Sequence, residues 1–145
     1  MIALIQRTAH ARITVEGEEV ARIGRGILAF IGIEAGDSPE TADQLLDRVI
    51  RYRIFPDEAG KMNLDLGQIE GELLLVPQFT LIADTHKGTR PGFSRGAPPD
   101  QAQTLFSQTV AMARNRHPQV ASGVFGADMQ VELVNDGPAT FWLES

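Results

Sequence analysis

Two long apolar runs, at residues 26–33 and 72–82, constrain the fold of this chain more than any other feature. A strand with one wet face alternates apolar and polar residues, whereas an unbroken apolar run predicts a strand that is buried on both faces. The second run is interrupted by Pro77, which cannot donate to a strand ladder and therefore marks an edge, a bulge or a break. With 145 residues, the chain is long enough for one domain around such strands.

Two further segments have the apolar spacing of amphipathic helices. The first begins at residues 37–40, where a polar cap precedes a proline in the first turn, and its apolar residues recur at i, i+3, i+4 and i+7 from Ala42 to Val49. The second begins near Pro99 and ends before His117. We predict that both helices pack on one sheet.

The remaining pattern is that of short strands and turns. Residues 11–23 alternate around a turn at Glu16-Gly17-Glu18, which predicts a hairpin with one wet face. Residues 2–6, 129–133 and 141–143 predict further short strands, with a turn at 135–138. The total is about six strands and two helices, so we predict one α+β domain over residues 1–145 with a mixed or antiparallel, barrel-like sheet.

Composition excludes much of the chemistry that enzymes commonly use. Without cysteine, the chain has no disulfide, thiolate metal site, iron–sulfur cluster or thiol nucleophile. Its histidines are His10, His86 and His117, and Asp84-x-His86 is better explained as part of a solvated loop than as half a metal site. No serine-hydrolase, zinc-protease or phosphate-loop motif is present. We therefore predict no metal and no cofactor, and chemistry that depends on backbone amides, hydroxyls and substrate groups.

The charge distribution limits the partners. A net charge of −6 argues against phosphate binding over the whole surface, but the irregular loop at residues 84–99 forms a local basic rim with Lys87, Arg90 and Arg95. No apolar stretch is long enough to cross a membrane, and the first residues lack the pattern of a signal peptide. We expect a cytoplasmic protein that has neither a membrane nor DNA as a partner.

Two short segments stand out as candidate sites. In Val76-Pro77-Gln78-Phe79-Thr80-Leu81, Gln78 and Thr80 would lie on the same face of an extended chain, among apolar neighbours. In Asn135-Asp136-Gly137-Pro138-Ala139-Thr140, a Gly-Pro bond in a tight turn permits a cis peptide. From these residues alone, a polar pair at a strand end and an ordinary hairpin turn are the favoured interpretations, and neither segment identifies a reaction.

Taken together, these segments resemble the D-aminoacyl-tRNA deacylase family over the whole chain. The resemblance is strongest in the Gln78-Phe79-Thr80-Leu81 segment and in the closing run from Asn135 to Leu143, and it includes Arg90-Pro91-Gly92-Phe93-Ser94. It implies hydrolysis of the ester of D-aminoacyl-tRNA and glycyl-tRNA. It also implies a homodimer whose two active sites lie at the subunit interface.

The resemblance assigns roles to residues. Gly137 and Pro138, joined by a cis peptide, would reach into the partner's pocket, where their carbonyls reject an L side chain. Gln78, Phe79 and Thr80 would line the other wall, with the Phe79 and Thr80 amides holding the ester carbonyl. Water would attack with help from the terminal ribose 2′-OH, since no base is evident to activate the Thr80 hydroxyl.

Other residues would hold the tRNA end. Phe125 and Met129 would bind the terminal adenine, and Lys87, Arg90 and Arg95 would contact the acceptor-stem phosphates unless they are merely solvated.

One position departs from the family pattern. The family usually has Ser before Gln-Phe-Thr, whereas this chain has Pro77. A related branch that removes L-alanine from threonine tRNA also has proline there, although Phe79 and the Asn-Asp-Gly-Pro-Ala-Thr run match the D-specific branch. A deacylase of relaxed chirality, and a tRNA-end binding module without turnover, are therefore the alternative functions.

Overall fold

The computed structural model describes all residues from Met1 to Ser145. Its central element is β1 (Ile2–Val15), a long strand that pairs on both of its edges. On one edge, the first half of β1 pairs with β3 (Gly26–Gly32) and the second half with β2 (Glu18–Ile23), both antiparallel. The other edge pairs with β8 (Gln130–Glu144) along its length. Because β1 pairs with β2 and β3 on one edge and with β8 on the other, the sheet curls around it into a nearly closed barrel-like shape.

The sheet continues beyond β3 with parallel strands. The strand β6 (Glu72–Pro77) pairs with β3, and β7 (Val120–Ser122) pairs with β6, both parallel. Parallel neighbours require crossover connections, and α1 (Pro39–Arg51) and α2 (Pro99–Arg116) lie in them. A separate two-stranded hairpin, β4 (Phe55–Pro56) and β5 (Met62–Leu64), lies between α1 and β6. The predicted mixed sheet with two helices is confirmed.

Burial explains why the two apolar runs do not alternate. Alternate residues of β3 and β6 face a 22-residue core between the sheet and the helices, among them Ile27, Ile31 and Leu73. The residues between them, such as Leu28 and Leu74, face a second, seven-residue cluster inside the curl of the sheet. Both strands are therefore buried on both faces, as the unbroken pattern predicts.

The helix boundaries follow local chemistry. Ser38 caps α1 by accepting a hydrogen bond from the Thr41 amide, and the Thr41 hydroxyl accepts one from the Ser38 amide. The second helix begins at Pro99 and ends at Arg116, in agreement with the prediction. Neither α-helix combines the length and the apolar composition that crossing a membrane requires.

Three details of the sequence prediction are wrong. The structure has eight strands instead of about six because the short strands β4, β5 and β7 were not predicted, although residues 2–6 and the first arm of the hairpin form one strand, β1. The apolar run 72–82 leaves the sheet at Pro77, which has no N–H to extend the ladder, and residues Phe79–Ile82 form a 3-10 turn. Gln78 and Thr80 therefore do not lie on one face of an extended strand.

The third detail concerns the end of the chain. Residues 130–144 form the single strand β8, instead of two strands joined by a turn. The pairing with β1 shifts register twice beside residues 135–140, because side chains of Arg7 and Asn135 hold the chain locally in place of ladder hydrogen bonds.

Candidate active site

The 3-10 turn that follows Pro77 forms one wall of the site. The Gln78 amide donates to the Ile31 carbonyl at 2.8 Å, which fixes the turn to the end of β3. The first hydrogen bond inside the turn runs from the Leu81 amide to the Gln78 carbonyl, at 3.3 Å. The amides of Phe79 and Thr80 precede that bond and have no partner inside the turn. Two adjacent N–H groups are thus available to a ligand.

The side chains of this turn do not pair a hydroxyl with a base, as an activated nucleophile requires. The Gln78 side-chain amide donates to the Thr80 hydroxyl. An amide is not a base, so this contact orients the hydroxyl without activating it. The Phe79 ring points outward and is 63% exposed, which is unusual for a large apolar side chain.

An apolar pocket of about 440 Å³ opens beside the turn. Its walls come from the end of β3, the turn, the loop that precedes α2, the start of α2 and the loop that precedes β8. The predicted residues among its lining are Pro77, Gln78, Phe79 and Phe125. Gln78 contributes the one amide side chain in an otherwise apolar lining, so the pocket suits a flat or apolar group that is bound beside a polar reacting centre.

Met129 lies outside this pocket. It packs against the seven-residue cluster, and its sulfur accepts a hydrogen bond from the Val124 amide at 3.4 Å. Met129 therefore supports the loop that carries Phe125, whose own ring packs against Phe106 in the large core.

The segment around Gly137–Pro138 lies elsewhere on the chain. The peptide between them is cis, and both residues are exposed on the outer strand β8. In the sheet, this segment lies beside Arg7 of β1, which pairs with Ile27 of β3. The pocket lies beside Ile31 of β3, which pairs with Ala3 of β1. Four residues of strand separate these levels, roughly 13 Å, with two strand spacings across the sheet in addition. A single chain does not bring this segment to the pocket.

Side chains fix the Gly137–Pro138 segment firmly. Arg7 is buried, and it donates from Nε to the Asp136 carbonyl and from a terminal nitrogen to the Ile54 carbonyl, both at 2.7 Å. The Asn135 side chain donates to the Arg7 and Ala139 carbonyls at 3.0 Å. Sequence reasoning missed Arg7, although an arginine at a core-facing position of an alternating strand is a usable signal.

The three basic residues of the loop differ in their surroundings. Lys87 and Arg90 are exposed and form no ion pair. Arg95 donates to Glu34 at 2.5 Å, and the other oxygen of Glu34 is 3.1 Å from the Met1 ammonium. Partial burial by itself would raise the pKa of Glu34, but the hydrogen bonds from the ammonium and from Arg95 outweigh it and lower the pKa overall.

The histidines take no part in this pocket, and no three potential metal-ligating side chains cluster anywhere in the chain. His117 is buried at the end of α2, where its ring nitrogen hydrogen-bonds to the Gly71 carbonyl at 2.7 Å. His10 and His86 are exposed.

Comparison with known proteins decides the family. The profile of the D-Tyr-tRNA(Tyr) deacylase family matches residues 4–144. The chain belongs to this family. It is 59% identical to the D-aminoacyl-tRNA deacylase of Azotobacter vinelandii over 145 residues, which is the full length of both chains. It is 53% identical to the D-aminoacyl-tRNA deacylase of Nitrosococcus oceani over 144 residues, covering 99% of this chain and 93% of the other.

Two solved structures share the fold of this chain. The c-Myc DNA Unwinding Element Binding Protein superposes with a TM-score of 0.95 at 36% identity, covering 100% of this chain and 99% of the other. A probable eukaryotic D-amino acid tRNA deacylase superposes with a TM-score of 0.88 over 99% of this chain and 98% of the other, and at 18% identity it supports the fold alone. The predictions of the deacylase family and of an enzyme are confirmed.

Proposed function

We propose that this chain hydrolyses the ester bond of D-aminoacyl-tRNA and of glycyl-tRNA, releasing the free amino acid and tRNA. The observation that carries the proposal is the pocket beside the 3-10 turn, where the unpaired amides of Phe79 and Thr80 adjoin an apolar wall of aromatic rings. These amides would stabilise the negative charge that develops on the ester oxygen. Membership of the deacylase family supports the choice of substrate.

The attacking group in this proposal is water. The Thr80 hydroxyl is hydrogen-bonded to the Gln78 amide, and no histidine or carboxylate lines the pocket. The ribose 2′-OH of the terminal adenosine adjoins the ester and would assist the water. The enzyme then contributes orientation and charge stabilisation rather than a covalent intermediate.

The adenosine end would lie against Phe125, whose ring forms part of the pocket wall and offers a stacking face. Met129 would support this subsite from behind. Lys87 and Arg90 are the free cations that would contact acceptor-stem phosphates, while Arg95 is already paired with Glu34.

Chiral selection requires a second copy of the chain in this proposal. Gly137 and Pro138 are exposed on an outer strand, far from the pocket of their own chain. In a twofold dimer, these residues of each copy would enter the pocket of the other, where their carbonyls leave room for a hydrogen but not for an L side chain. The exposed Val134 and Trp142 on β8 would be covered in the same contact.

Pro77 favours a second candidate, the deacylase of relaxed chirality. Pro77 lines the pocket and supplies neither a hydroxyl nor an N–H at a position where the family usually has serine. The loss of these groups removes two possible contacts with the reacting end. The same wall would then accept L-alanine mischarged on threonine tRNA.

Single-turnover deacylation of four matched substrates tests the proposal: D-Tyr-tRNA, L-Tyr-tRNA, Gly-tRNA and L-Ala-tRNA(Thr). Fast loss of D-Tyr and Gly with both L-esters untouched is the expected result. Comparable loss of L-Ala would establish the relaxed enzyme. Binding of the tRNA without loss of any ester would indicate a module without turnover and would refute the proposed hydrolysis.

A further inference from the structure

Phe93 lines the pocket but has no role in the function proposed above. Its ring centroid lies 5.1 Å from that of Phe79, and the two rings are tilted by 47°. This is the tilted geometry that aromatic pairs favour. Both rings remain open to solvent on their outer sides, with 42% of Phe93 and 63% of Phe79 exposed. The pair therefore stands at the mouth of the pocket rather than in the core.

We propose that Phe93 is a positioning residue for the deacylation, acting through Phe79. The turn that carries Phe79 is only four residues long, and most of the Phe79 ring lies outside the core. The Phe93 ring restrains Phe79 from the solvent side, and with it the adjacent amides of Phe79 and Thr80. This inference rests on the proposed function, because those amides are the groups that would hold the ester carbonyl.

A residue that positions another must itself be held, and Phe93 is held on both sides. Before it, Asp84 and Gly92 exchange two backbone hydrogen bonds at 2.7 and 3.0 Å. After it, the Gly96 amide donates to the Phe93 carbonyl at 3.1 Å. A Cβ on Gly96 would lie 2.6 Å from the Ile82 side chain, so the absence of a side chain lets the loop lie directly against the turn.

The next residues tie the loop to the end of the sheet. The Ala35 amide donates to the Arg95 carbonyl at 2.9 Å, and the Ala97 amide donates to the Ile33 carbonyl at 3.2 Å. Arg95 lies two residues after Phe93 in the loop, and its guanidinium donates a hydrogen bond to Glu34. These bonds connect Phe93 to the same strand end that anchors Gln78. The two aromatic rings are therefore fixed to one support.

The test compares Phe93→Ala, Phe93→Leu and Phe93→Tyr with the wild-type chain and with Met62→Ala. Met62 is 44% exposed on the separate β4–β5 hairpin, so its truncation removes a similarly exposed apolar side chain away from the pocket. Single-turnover release of D-Tyr from D-Tyr-tRNA is measured over a range of enzyme concentrations. The saturating rate constant and the half-saturating concentration are then obtained separately.

We expect Phe93→Ala to lower the saturating rate constant roughly tenfold, since small misplacements of catalytic groups have effects of this order or larger. The half-saturating concentration should stay within about threefold, because Phe93 acts on Phe79 and not on the tRNA. Phe93→Tyr retains the ring and should have nearly the wild-type rate constant. Phe93→Leu should have a rate constant between those of Phe93→Ala and the wild type, and Met62→Ala should match the wild type.

An unchanged rate constant in Phe93→Ala, or a change confined to the half-saturating concentration, would overturn the inference while the wild-type turnover still supported the proposed function. A wild-type chain that releases no amino acid would refute the proposed function itself, and the inference with it. If Phe93→Ala fails to fold by circular dichroism, the comparison of Phe93→Leu with Phe93→Tyr decides, and equal rates in these two would overturn it.

Discussion

The two proline-containing segments of this chain are held in opposite ways. The segment at residues 77–82 is anchored by backbone hydrogen bonds to the end of β3, and loops of the same chain complete a pocket beside it. The segment at residues 135–139 is anchored by the side chains of Arg7 and Asn135, and its Gly137 and Pro138 are exposed on an outer strand, away from the pocket beside the first segment. The first segment is built as a receiving surface and the second as a rigid projection.

The difference indicates how a site can be divided between identical subunits. In this proposal, the pocket alone would bind an aminoacyl ester without distinguishing its D form from its L form. The Gly137–Pro138 segment alone would have no bound ester to distinguish. In the proposed twofold dimer each copy would supply both parts, so that two complete sites would arise from one kind of chain. The four predictions below test this division, beginning with the largest expected effect.

A side chain at Gly137 should damage the projection more than any other single change. Gly137 has a φ of +154°, and a Cβ there would lie 2.6 Å from the backbone nitrogen of Ala139 and 3.1 Å from the Arg7 side chain. Such overpacking costs typically ~1–3 kcal/mol, which corresponds to roughly a five- to 150-fold change in an equilibrium or rate ratio. We expect Gly137→Ala to lower the ratio of D-Tyr to L-Tyr release by that factor.

The measurement is single-turnover release from the two esters, with the thermal midpoint followed in parallel. Ala139→Gly removes a methyl group from the same segment of β8 without adding one and serves as the control. An unchanged D/L ratio in a folded Gly137→Ala chain would remove the projection from the selection of substrates.

Mixing two damaged chains tests whether the parts act across subunits. One chain carries Gly137→Ala and the other carries Phe79→Pro, which removes one of the two proposed catalytic N–H groups at a first-turn position that accepts proline, so that each chain retains one intact part. Random exchange of subunits in a twofold dimer would give about a quarter of all sites both parts intact. Selective release of D-Tyr should return to about that fraction after the chains are dissociated and reassociated together. Each damaged chain treated alone is the control, and a mixture no better than the average of the two would contradict the shared site.

Thr80→Ala should have a smaller effect on the receiving surface. In the structure the Thr80 hydroxyl meets the Gln78 amide, while the proposed catalytic groups are backbone amides that the substitution retains. We expect the saturating rate constant for D-Tyr release to fall by less than about tenfold, whereas loss of a nucleophile typically abolishes all but a trace of activity. Thr80→Ser, which retains the hydroxyl, is the matched variant. A loss of several orders of magnitude in Thr80→Ala alone would identify the hydroxyl as the attacking group.

The sequence predicts more of the structure of the receiving surface than of the projection. The unbroken apolar runs require strands that are buried on both faces, and Ile27 and Leu28 confirm this by facing separate cores. The break at Pro77 follows from its missing N–H, but the direction taken by Gln78 and Phe79 depends on the Ile31 carbonyl, which no local pattern reveals. A period-2 or period-3.6 pattern indicates which residues of a segment are buried, but it does not indicate which distant residue forms a hydrogen bond with the end of that segment.

The projection was harder to foresee. A turn at 135–138 is the natural reading of Asn-Asp-Gly-Pro, yet the chain continues as β8 because the buried Arg7 holds it from the neighbouring strand. Arg7 is 129 residues away from Asp136 along the chain, so the contact is a property of the sheet register. Likewise, the pairing of Arg95 with Glu34 comes from two loops that meet only in the fold, and the Arg95 side chain is still 54% exposed, so its contact with phosphate stays a prediction.

The smallest predicted effect concerns the charges beside each segment. The pKa of Glu34 is lower in the folded chain than its ordinary value of 4.5, so the unfolded chain takes up the proton first as the pH falls. The contribution of Glu34 to the free energy of unfolding is therefore present at neutral pH and is lost as the pH falls below about 4.5, through the lowered folded pKa. Glu34→Gln should remove this part of the pH dependence and cost less than about 1 kcal/mol at pH 7, since the pair is partly solvated.

Asp136→Asn is the matched variant in the projection. Its carboxylate lies 3.6 Å from Arg7 Nε, but that nitrogen already donates to the Asp136 backbone carbonyl at 2.7 Å, and the side chain is 54% exposed. Urea unfolding should therefore show a deficit in the free energy of unfolding for Glu34→Gln that shrinks from pH 7 to pH 4, and a smaller deficit at pH 7 for Asp136→Asn. The reverse result would mean that the projection depends on charge and the receiving surface does not. The comparison between a surface whose adjoining loop has an ionic contact and a projection held by side-chain hydrogen bonds to backbone carbonyls would then be wrong.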